Sequence, residues 1–299
     1  MIRFNPDPIP DMLRLLGQTQ KAENSALQQL STGRRVNSAS DDPAAAAANI
    51  EDLARLGDDD QYTANVETLH ELINTADSTL NSVVTSLQRA LTIGIEGANG
   101  TQSAENRMAI AGDVTGIRDQ ILSLANLSFR GRFVFAGTTG DQPPFTADPT
   151  APSGVVYGGN QQISQVQIDE GRTVSTNVPG DQVFMSSGGD VFAALNSLAN
   201  ALKANASTTE IGDCVSSVRA ALDHISSSRV FYGNSMNQLD SEKTFLDNDK
   251  LLVAQHQNTT VAADPAKAAS DLEQAMFARQ ATMQGIAKST GMSLLDYLR

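Results

Sequence analysis

The chain has 299 residues, with 34 acidic and 21 basic side chains and a formal net charge of −13 at pH 7. This acidic balance disfavours nucleic acid and anionic membrane as partners, because both are negatively charged. The single cysteine, Cys214, excludes an intramolecular disulfide and a cysteine-rich metal site. No apolar run reaches the roughly 20 residues that a membrane-spanning helix needs. The N-terminal residues lack the apolar region of a cleavable secretory signal, which by itself predicts a cytoplasmic protein.

The first predicted helix begins near Ile9. Its leucines lie on one heptad track, which is typical of a helix that packs against another helix. Gln20 and Glu23 interrupt the track, so the apolar stripe is weak by itself. The leucines of this track are Leu13, Leu16, Leu27 and Leu30.

A shaped joint between two helices is predicted within residues 30–50. Gly33 stands where a helix C-cap is expected, with two arginines beside the exposed carbonyls. Two aspartates supply the N-cap acceptor for the next helix, and Pro43 suits its first position because a proline lacks only an N–H that would be unpaired there. The joint residues are Gly33, Arg34, Arg35, Asn37, Asp41, Asp42 and Pro43.

A long second helix is predicted from Pro43 to about Gly97, because its second half carries apolar residues at three- and four-residue spacing. Residues 57–60, GDDD, indicate either a kink or a solvated face, and we favour the solvated face. A turn is predicted over residues 94–103 from its glycines and asparagine. A third helix, apolar from Ile110 to Leu124, is expected to pack antiparallel on the second.

The centre of the chain changes character. Glycine and proline become frequent over residues 131–189, and apolar residues alternate at 155–157, 163–168 and 174–178, which predicts short strands. Residues 169–171, Asp-Glu-Gly, predict a hairpin turn. One aromatic strand is expected to leave the third helix. Its aromatic residues are Phe129, Phe133 and Phe135.

The C-terminal half returns to helical spacing. A heptad track runs from Val215 to Val253, interrupted by polar residues at Arg229, Lys243 and His256. Residue 249 or 250 is a fourth interruption. A track of this length needs a partner of similar length, and the second helix is the obvious one. The N- and C-terminal halves are therefore expected to build one rod together.

The last predicted helix begins at Asp264-Pro265 and carries a further apolar stripe. The first helix and this one are expected to be only marginally stable alone. We expect them to order on assembly with other copies, although simple packing onto the rod is an equally good interpretation of the pattern alone. The stripe residues are Leu272, Met276, Met283 and Ile286, followed by Leu294, Leu295 and Leu298.

Two groups of motifs resemble a known family. Residues 30–50, LSTGRRVNSASDDPAAAAANI, resemble the N-terminal signature of the bacterial flagellins, including the hook-associated proteins that join hook to filament. Residues 131–137, GRFVFAG, and 178–184, VPGDQVF, resemble the filament-side junction members of that family, as do PPF at 143–145 and SLLDYL at 293–298. The N-terminal MIRFNPDPIPDM is richer in proline than the resemblance leads us to expect.

The resemblance implies a fold and a domain organisation. The fold is mainly α with an inserted β domain, an elongated antiparallel long-helix bundle built from both halves of the chain with a small β-rich lobe. Residues 1–40 and 263–299 are expected to form an inner assembly domain, disordered or loosely packed in the monomer. Residues 41–130 and 190–262 form the helical rod, and residues 131–189 the outer lobe.

The resemblance also implies a function. The chain is expected to be a structural adaptor at the hook–filament junction of the extracellular flagellum, exported through the flagellar apparatus without a cleaved signal. Implied partners are other copies of the chain, hook-associated protein 1, flagellin, and an export chaperone at the C-terminal helix. The leucine track, the last stripe and the joint are the expected interaction and hinge sites.

The sequence leaves two alternative functions open. The first is flagellin itself, the filament subunit. The second is a secreted enzyme or adhesin on a similar frame, which needs a pocket in residues 131–190. The histidines, His70, His224 and His256, lie far apart and form no zinc motif. Acidic residues of the central region show no paired spacing, so neither an enzyme nor a cofactor is predicted. These residues are Asp141, Asp148, Asp169, Glu170, Asp181 and Asp190.

Overall fold

The computed structural model describes the backbone of residues 9–296 and the side chains of residues 10–288. Seven helices lie in the described part: α1 (Ile9–Thr32), α2 (Pro43–Ala98), α3 (Ala104–Ala125), α4 (Gly180–Phe184), α5 (Val191–Lys203), α6 (Thr208–Val261) and α7 (Pro265–Asp296). Six short strands lie between α3 and α4: β1 (Ser128–Phe129), β2 (Arg132–Phe133), β3 (Phe145–Ala147), β4 (Val155–Tyr157), β5 (Gln165–Asp169) and β6 (Arg172–Ser175). The expected mainly α fold with an inserted β region is confirmed.

The chain forms two compact units. The terminal unit comprises Met1–Asp58 and Asn248–Arg299, and the central unit comprises Asp59–Asp247. Among the described residues, no helix is both long and apolar enough to cross a membrane.

In the terminal unit, α1 and α7 pack against each other. Glu23 and Arg279 form an ion pair with a nitrogen–oxygen distance of 3.0 Å, and Ala26 and Ala275 are buried. Glu23 lies nine positions before the end of α1, and Arg279 lies well inside α7. Because the end of α1 and the start of α7 are adjacent, the two helices run antiparallel. Small side chains therefore permit a close approach of the two helices.

In the central unit, the apolar stripes of α2 and α6 are two major parts of the core, beside α3 and α5. The stripes predicted from the sequence are buried, except that Leu222 and Met236 on α6 are half-buried. On α2 they include Val66, Leu69, Ile73, Ala76, Leu80, Val83, Leu87 and Ala90, and on α6 Val215, Val218, Ile225, Tyr232, Leu239 and Leu246.

The polar interruptions of the α6 track have partners on α2. Arg229 donates two hydrogen bonds to the Asp77 carboxylate, at 2.8 and 3.0 Å, and Lys243 lies 2.6 Å from a Glu67 carboxylate oxygen. The positions on α2 fall as those on α6 rise, so the helices are antiparallel. Cationic side chains at these positions thus match carboxylates across the helix contact.

The long second helix ends at Ala98, close to the predicted end near Gly97, but the predicted turn begins later than expected. The expected turn at residues 94–98 is wrong, because α2 continues to Ala98 and the turn begins at Asn99. Gly94 and Gly97 are helical because they face leucines of α5: a Cβ on Gly97 would lie 2.5 Å from Leu202 Cδ2. These glycines therefore allow α5 to pack closely against α2, and they do not form a turn.

Residues 57–60 do not interrupt α2. Asp58 and Asp60 are exposed, as the solvated-face interpretation requires, whereas Asp59 is buried. The third helix returns antiparallel to α2, since Ile110 lies close to Gly97 near its start and Arg130, just after its end, pairs with Glu71.

The central β region consists of three antiparallel hairpins, β1–β2, β3–β4 and β5–β6. The turn predicted at 169–171 joins β5 to β6. The single aromatic strand is wrong: Phe129 and Phe133 lie on two strands joined by Arg130 and Gly131, both with positive φ. Such a pair of residues closes a tight hairpin, so the chain reverses before Phe135.

Phe135 is buried in an aromatic cluster instead of a strand. Its ring centroid lies 5.2 Å from that of Phe184, and Phe145 and Phe192 complete the group. Phe184 lies on α4 and Phe192 on α5, two helices that the sequence did not predict individually. The cluster thus holds the hairpins on the helical core of the central unit.

Candidate assembly site

Two connections between helices meet in the terminal unit. Gly33, with φ of +68°, ends α1, and its N–H donates to the Gln29 carbonyl at 2.9 Å. The Arg35 N–H donates to the Val261 carbonyl at 2.7 Å, and the Ala263 N–H donates to the Gly33 carbonyl at 2.9 Å. We call this bonded pair, residues 33–42 and 262–264, the double joint. A left-handed residue after a helix is the conformation that glycine favours.

Arg35 links three parts of the double joint. Its guanidinium donates to the Asp42 carboxylate at 3.1 Å and to the Thr260 carbonyl at 2.8 Å. The sequence placed the arginines beside exposed helix carbonyls, and the carbonyl that Arg35 reaches belongs to the last turn of α6, not of α1. A cation at a helix C-terminus is also favoured by the helix dipole.

Asp41 and Asp42 have different tasks. Asp41 accepts hydrogen bonds from the N–H groups of Asn37 and Ser38, at 3.1 and 2.8 Å, and closes the polar turn. Asp42 accepts from the Ala45 N–H at 3.1 Å and caps α2. Hydrogen bonds from backbone N–H groups lower the pKa of both carboxyls, and Arg35 adds to the shift at Asp42.

The remaining joint residues complete the turn. The Asn37 side chain donates to the Arg34 carbonyl and accepts from the Thr32 hydroxyl, both at 2.8 Å. Val36 is buried with Ala45 and Val261 in a small core. Asp264 caps α7 through the Ala266 N–H at 2.9 Å, so α7 begins at an Asp-Pro pair as α2 does.

Most of the predicted interaction residues on α1 and α7 whose side chains the structure describes are exposed to solvent. Leu16, Leu272 and Ile286 are half-buried. The side chains of Leu294 and Leu295, and all of Leu298, lie outside the described residues. The residues that are exposed are Leu13, Leu27, Leu30, Met276 and Met283.

The contact between α1 and α7 uses another track. On α1 the more buried positions share only Leu16 with the predicted leucine track. They are Met12, Leu16, Thr19, Glu23, Ala26 and Gln29. These positions also keep three- and four-residue spacing, but most are polar or small. A search for large apolar residues therefore missed them, and the leucines remain available for other contacts.

Further exposed apolar residues were missed by the sequence reasoning. Phe277 is the most exposed of them, at 74%. It lies next to the predicted Met276, and its position outside the heptad spacing hid it. The others in the terminal unit are Leu15, Ile50, Leu53, Leu251 and Leu252. Most of the exposed large apolar side chains among the described residues belong to this unit.

The candidate catalytic groups are not brought together. His70 and His256 lie beside Asp240 and Asp52, and His224 beside the Gln182 carbonyl. Asp190 caps α5 and Asp148 binds Thr150. Asp181 accepts from Gln161, and Asp169 from the N–H of Glu170. Residues 10–288 contain no group of three histidine, cysteine or acidic residues that could hold a metal ion.

Comparison with known proteins shows what these features resemble. A family model described as the bacterial flagellin N-terminal helical region matches residues 10–139, which include α1, the first half of the double joint, α2 and α3. Flagellar hook-associated protein 3 of Escherichia coli K12 is 28% identical over 292 residues, covering 90% of each chain. The chain is thus similar to the flagellins over its N-terminal part and to a hook-associated protein over nearly its whole length.

Solved structures share the fold. A flagellar hook-associated protein from Vibrio parahaemolyticus has a TM-score of 0.69 at 22% identity, covering 74% of this chain and all of that one. The flagellar junction protein from Legionella pneumophila has a TM-score of 0.62 at 17% identity, covering 72% of this chain and all of that one. Polar flagellin F of Vibrio parahaemolyticus is 25% identical over 52% of this chain. Flagellin is thus the more distant of these relatives.

Proposed function

We propose that this chain is a structural component of the bacterial flagellum that joins the hook to the filament. The observation that carries the proposal is the exposed apolar surface of the terminal unit, whose own apolar core is small. Large exposed apolar patches on a protein are typical of interaction sites. The full-length similarity to hook-associated protein 3 supports the junction over the filament as its place.

The mechanism is packing between subunits. Leu13, Leu27 and Leu30 on α1 would contact helices of neighbouring copies, as would Met276 and Met283 on α7. Burial of such side chains stabilises an assembly by about 1.5–3 kcal/mol each when it is complete. The double joint would act as the hinge that sets the direction of α1 and α7 in the assembly.

The proposed roles of the three domains use the domain bounds predicted from the sequence. Residues 1–40 and 263–299 form the inner assembly domain, residues 41–130 and 190–262 the rod, and residues 131–189 the outer lobe. Hook-associated protein 1 and flagellin are the proposed neighbours on the two sides, beside copies of the chain. An export chaperone would cover Leu272–Leu298 before assembly, and export would proceed without a cleaved signal.

Deletion of the gene in its host tests the proposal. Cells that keep their hooks but lose their filaments and release flagellin into the medium support a junction function. Cells that keep normal filaments contradict it. Purified protein distinguishes the junction from a filament subunit, because a junction protein stays monomeric alone whereas flagellin forms long homopolymers at high concentration.

A pair of matched variants tests the assembly surface. Leu27, 54% exposed on α1, is replaced by serine, and Met108, 62% exposed on α3, is replaced likewise as the control. Both changes remove a similar, small amount of buried surface, so both monomers should melt close to the wild-type temperature. In the deleted strain, Leu27→Ser should fail to restore swimming and Met108→Ser should restore it. Equal rescue by both variants would remove the leucine track from the interface.

A further inference from the structure

A groove outside the terminal unit has the features of a peptide site. It lies in the central unit, where α2 forms its floor and the β1–β2 and β5–β6 hairpins form its walls. Its volume is about 500 Å³. Leu69, Leu72, Phe129, Phe133 and Val166 give it an apolar lining. A lining of this kind with a few polar groups is typical of a binding site.

One wall of the groove is an open strand edge. The Ser164 carbonyl accepts from the Thr176 N–H at 2.9 Å and the Ser164 N–H donates to the Asn177 side chain at 2.8 Å, so both backbone groups of Ser164 point toward the β6 side. In an antiparallel ladder the next residue along β5, Gln165, then points its N–H and C=O away from β6. Two residues on, the Gln167 carbonyl follows the same pattern, since it accepts from the Asn65 side chain at 2.9 Å. Gln165 therefore presents an outward peptide group at the groove.

The rim of the groove carries positive charge in a strongly acidic protein. Arg130 lies over the Phe129 ring at 5.2 Å and pairs with Glu71 at 2.7 Å. Arg132 is exposed and donates to the Thr138 carbonyl at 3.1 Å, and within residues 10–288 it has no carboxylate partner. Its remaining donors are free to bind an incoming carboxylate.

We propose that this groove binds an extended, acidic peptide segment of another protein chain. The segment adds a strand to the outer edge of β5, with main-chain hydrogen bonds to Gln165, alternate apolar side chains on Leu72 and Phe133, and a carboxylate on Arg132. Strand addition of this kind takes its affinity from the backbone and its specificity from pockets for alternate side chains. The arginines at the rim favour a segment with negative charge over one with positive charge.

Fluorescence anisotropy tests the site on the full-length protein. The probe is a fluorescein-labelled heptapeptide, Asp-Val-Thr-Val-Thr-Val-Asp with blocked ends, and a second peptide has lysine in place of both aspartates. We expect the acidic peptide to bind and the basic one to bind at least about tenfold more weakly, because a charge-assisted pair is lost and a like charge is introduced. Absence of binding up to about 1 mM acidic peptide overturns the proposal, as does equal binding of the two peptides.

Two variants locate the binding. Arg132→Glu should weaken the acidic peptide about tenfold or more, and the matched reversal Arg219→Glu on the exposed face of α6 should leave it unchanged. Gln165→Pro removes an outward N–H while the ladder to β6 stays intact, so the protein should melt as before and bind both peptides more weakly. Binding that survives both Arg132→Glu and Gln165→Pro lies elsewhere and overturns the site.

Discussion

Arg229 and Arg35 show how far a single residue can be understood from the sequence. Arg229 was recognised as a polar interruption of an apolar track, and Arg35 as a cation near helix carbonyls. Their partners lie far away in the chain: Asp77 is 152 positions from Arg229, and Thr260 is 225 positions from Arg35. The spacing within one helix fixes which face a residue occupies, but the partner depends on the register of a second helix, which no local pattern contains.

Glu242 gives a prediction about pH. Its side chain is 1% exposed and lies 2.7 Å from Arg172, with Asp169 also nearby. Burial raises the pKa of the Glu242 carboxyl above its ordinary 4.5, although Arg172 opposes the shift. A folded-state pKa above the unfolded one favours the folded state at low pH, and this contribution is lost as the pH rises through the folded value. Glu242→Gln should therefore gain stability relative to the wild type between about pH 4 and pH 7.

Urea unfolding at several pH values measures this difference. The control is Asp240→Asn on the same helix, whose side chain is 67% exposed. A Glu242→Gln curve that stays parallel to the wild-type curve over the whole range would show that Glu242 does not contribute to the pH dependence.

At the scale of elements, helix starts were predictable and tertiary glycines were not. Pro43 and Pro265 begin α2 and α7 as the sequence indicated, because the cap aspartate and the proline act within one turn. Gly94 and Gly97 suggested a turn, yet both are helical because α5 packs against them. The β1–β2 hairpin was missed for a related reason, since an arginine with positive φ carries little turn signal in a sequence.

Gly97 can be tested by adding one methyl group. A Cβ there would lie 2.5 Å from Leu202 Cδ2, and Leu202 is fully buried. Overpacking typically costs about 1–3 kcal/mol, which exceeds the gain of about 0.5–1 kcal/mol for alanine over glycine in a helix. Gly97→Ala should therefore lower the free energy of unfolding, measured in urea.

The matched control for this experiment is Gly116→Ala on α3. A Cβ at Gly116 meets nothing within 4 Å, so this variant should be slightly more stable than the wild type. Equal stabilisation by both substitutions would mean that α5 moves aside at little cost.

The double joint yields a second prediction for elements. Pro43→Gly removes the preset φ at the start of α2 and raises the entropy of the unfolded chain, for a cost of about 1 kcal/mol. We expect swimming and filament formation to suffer more than the melting of the purified protein, because the joint directs α1 and α7. Calorimetry and a motility assay measure the two effects, and a proportionate loss of both would make the joint merely structural.

At the scale of the whole molecule, the two units differ in how much apolar surface they bury. The core of the central unit includes large aliphatic and aromatic side chains from five helices and the hairpins. The buried residues of the terminal unit are mainly alanines and valines. The fold class and the N- to C-terminal pairing were predictable from the long tracks. The sequence did not predict that Pro43–Asp58 and Asn248–Val261 belong to the same unit as the terminal helices. Helices α2 and α6 continue through the boundary between the units, so no break in the pattern marks it.

This difference predicts that the purified monomer unfolds in two steps. The terminal unit should melt first, because stability follows the amount of apolar surface buried. Calorimetry should resolve two transitions, and hydrogen exchange should be faster in α1 and α7 than in α3 and the buried part of α6. A single transition with uniform protection would contradict it.

The two backbone hydrogen bonds of the double joint close a loop in the chain. Residues 33–35 and 261–263 are held side by side, so the chain segment between them begins and ends at the same place. The length of this segment does not affect the double joint. Residues inserted at the exposed turn between β5 and β6 lengthen the segment without separating its ends. An epitope tag inserted after Glu170 should for this reason be carried without loss of motility.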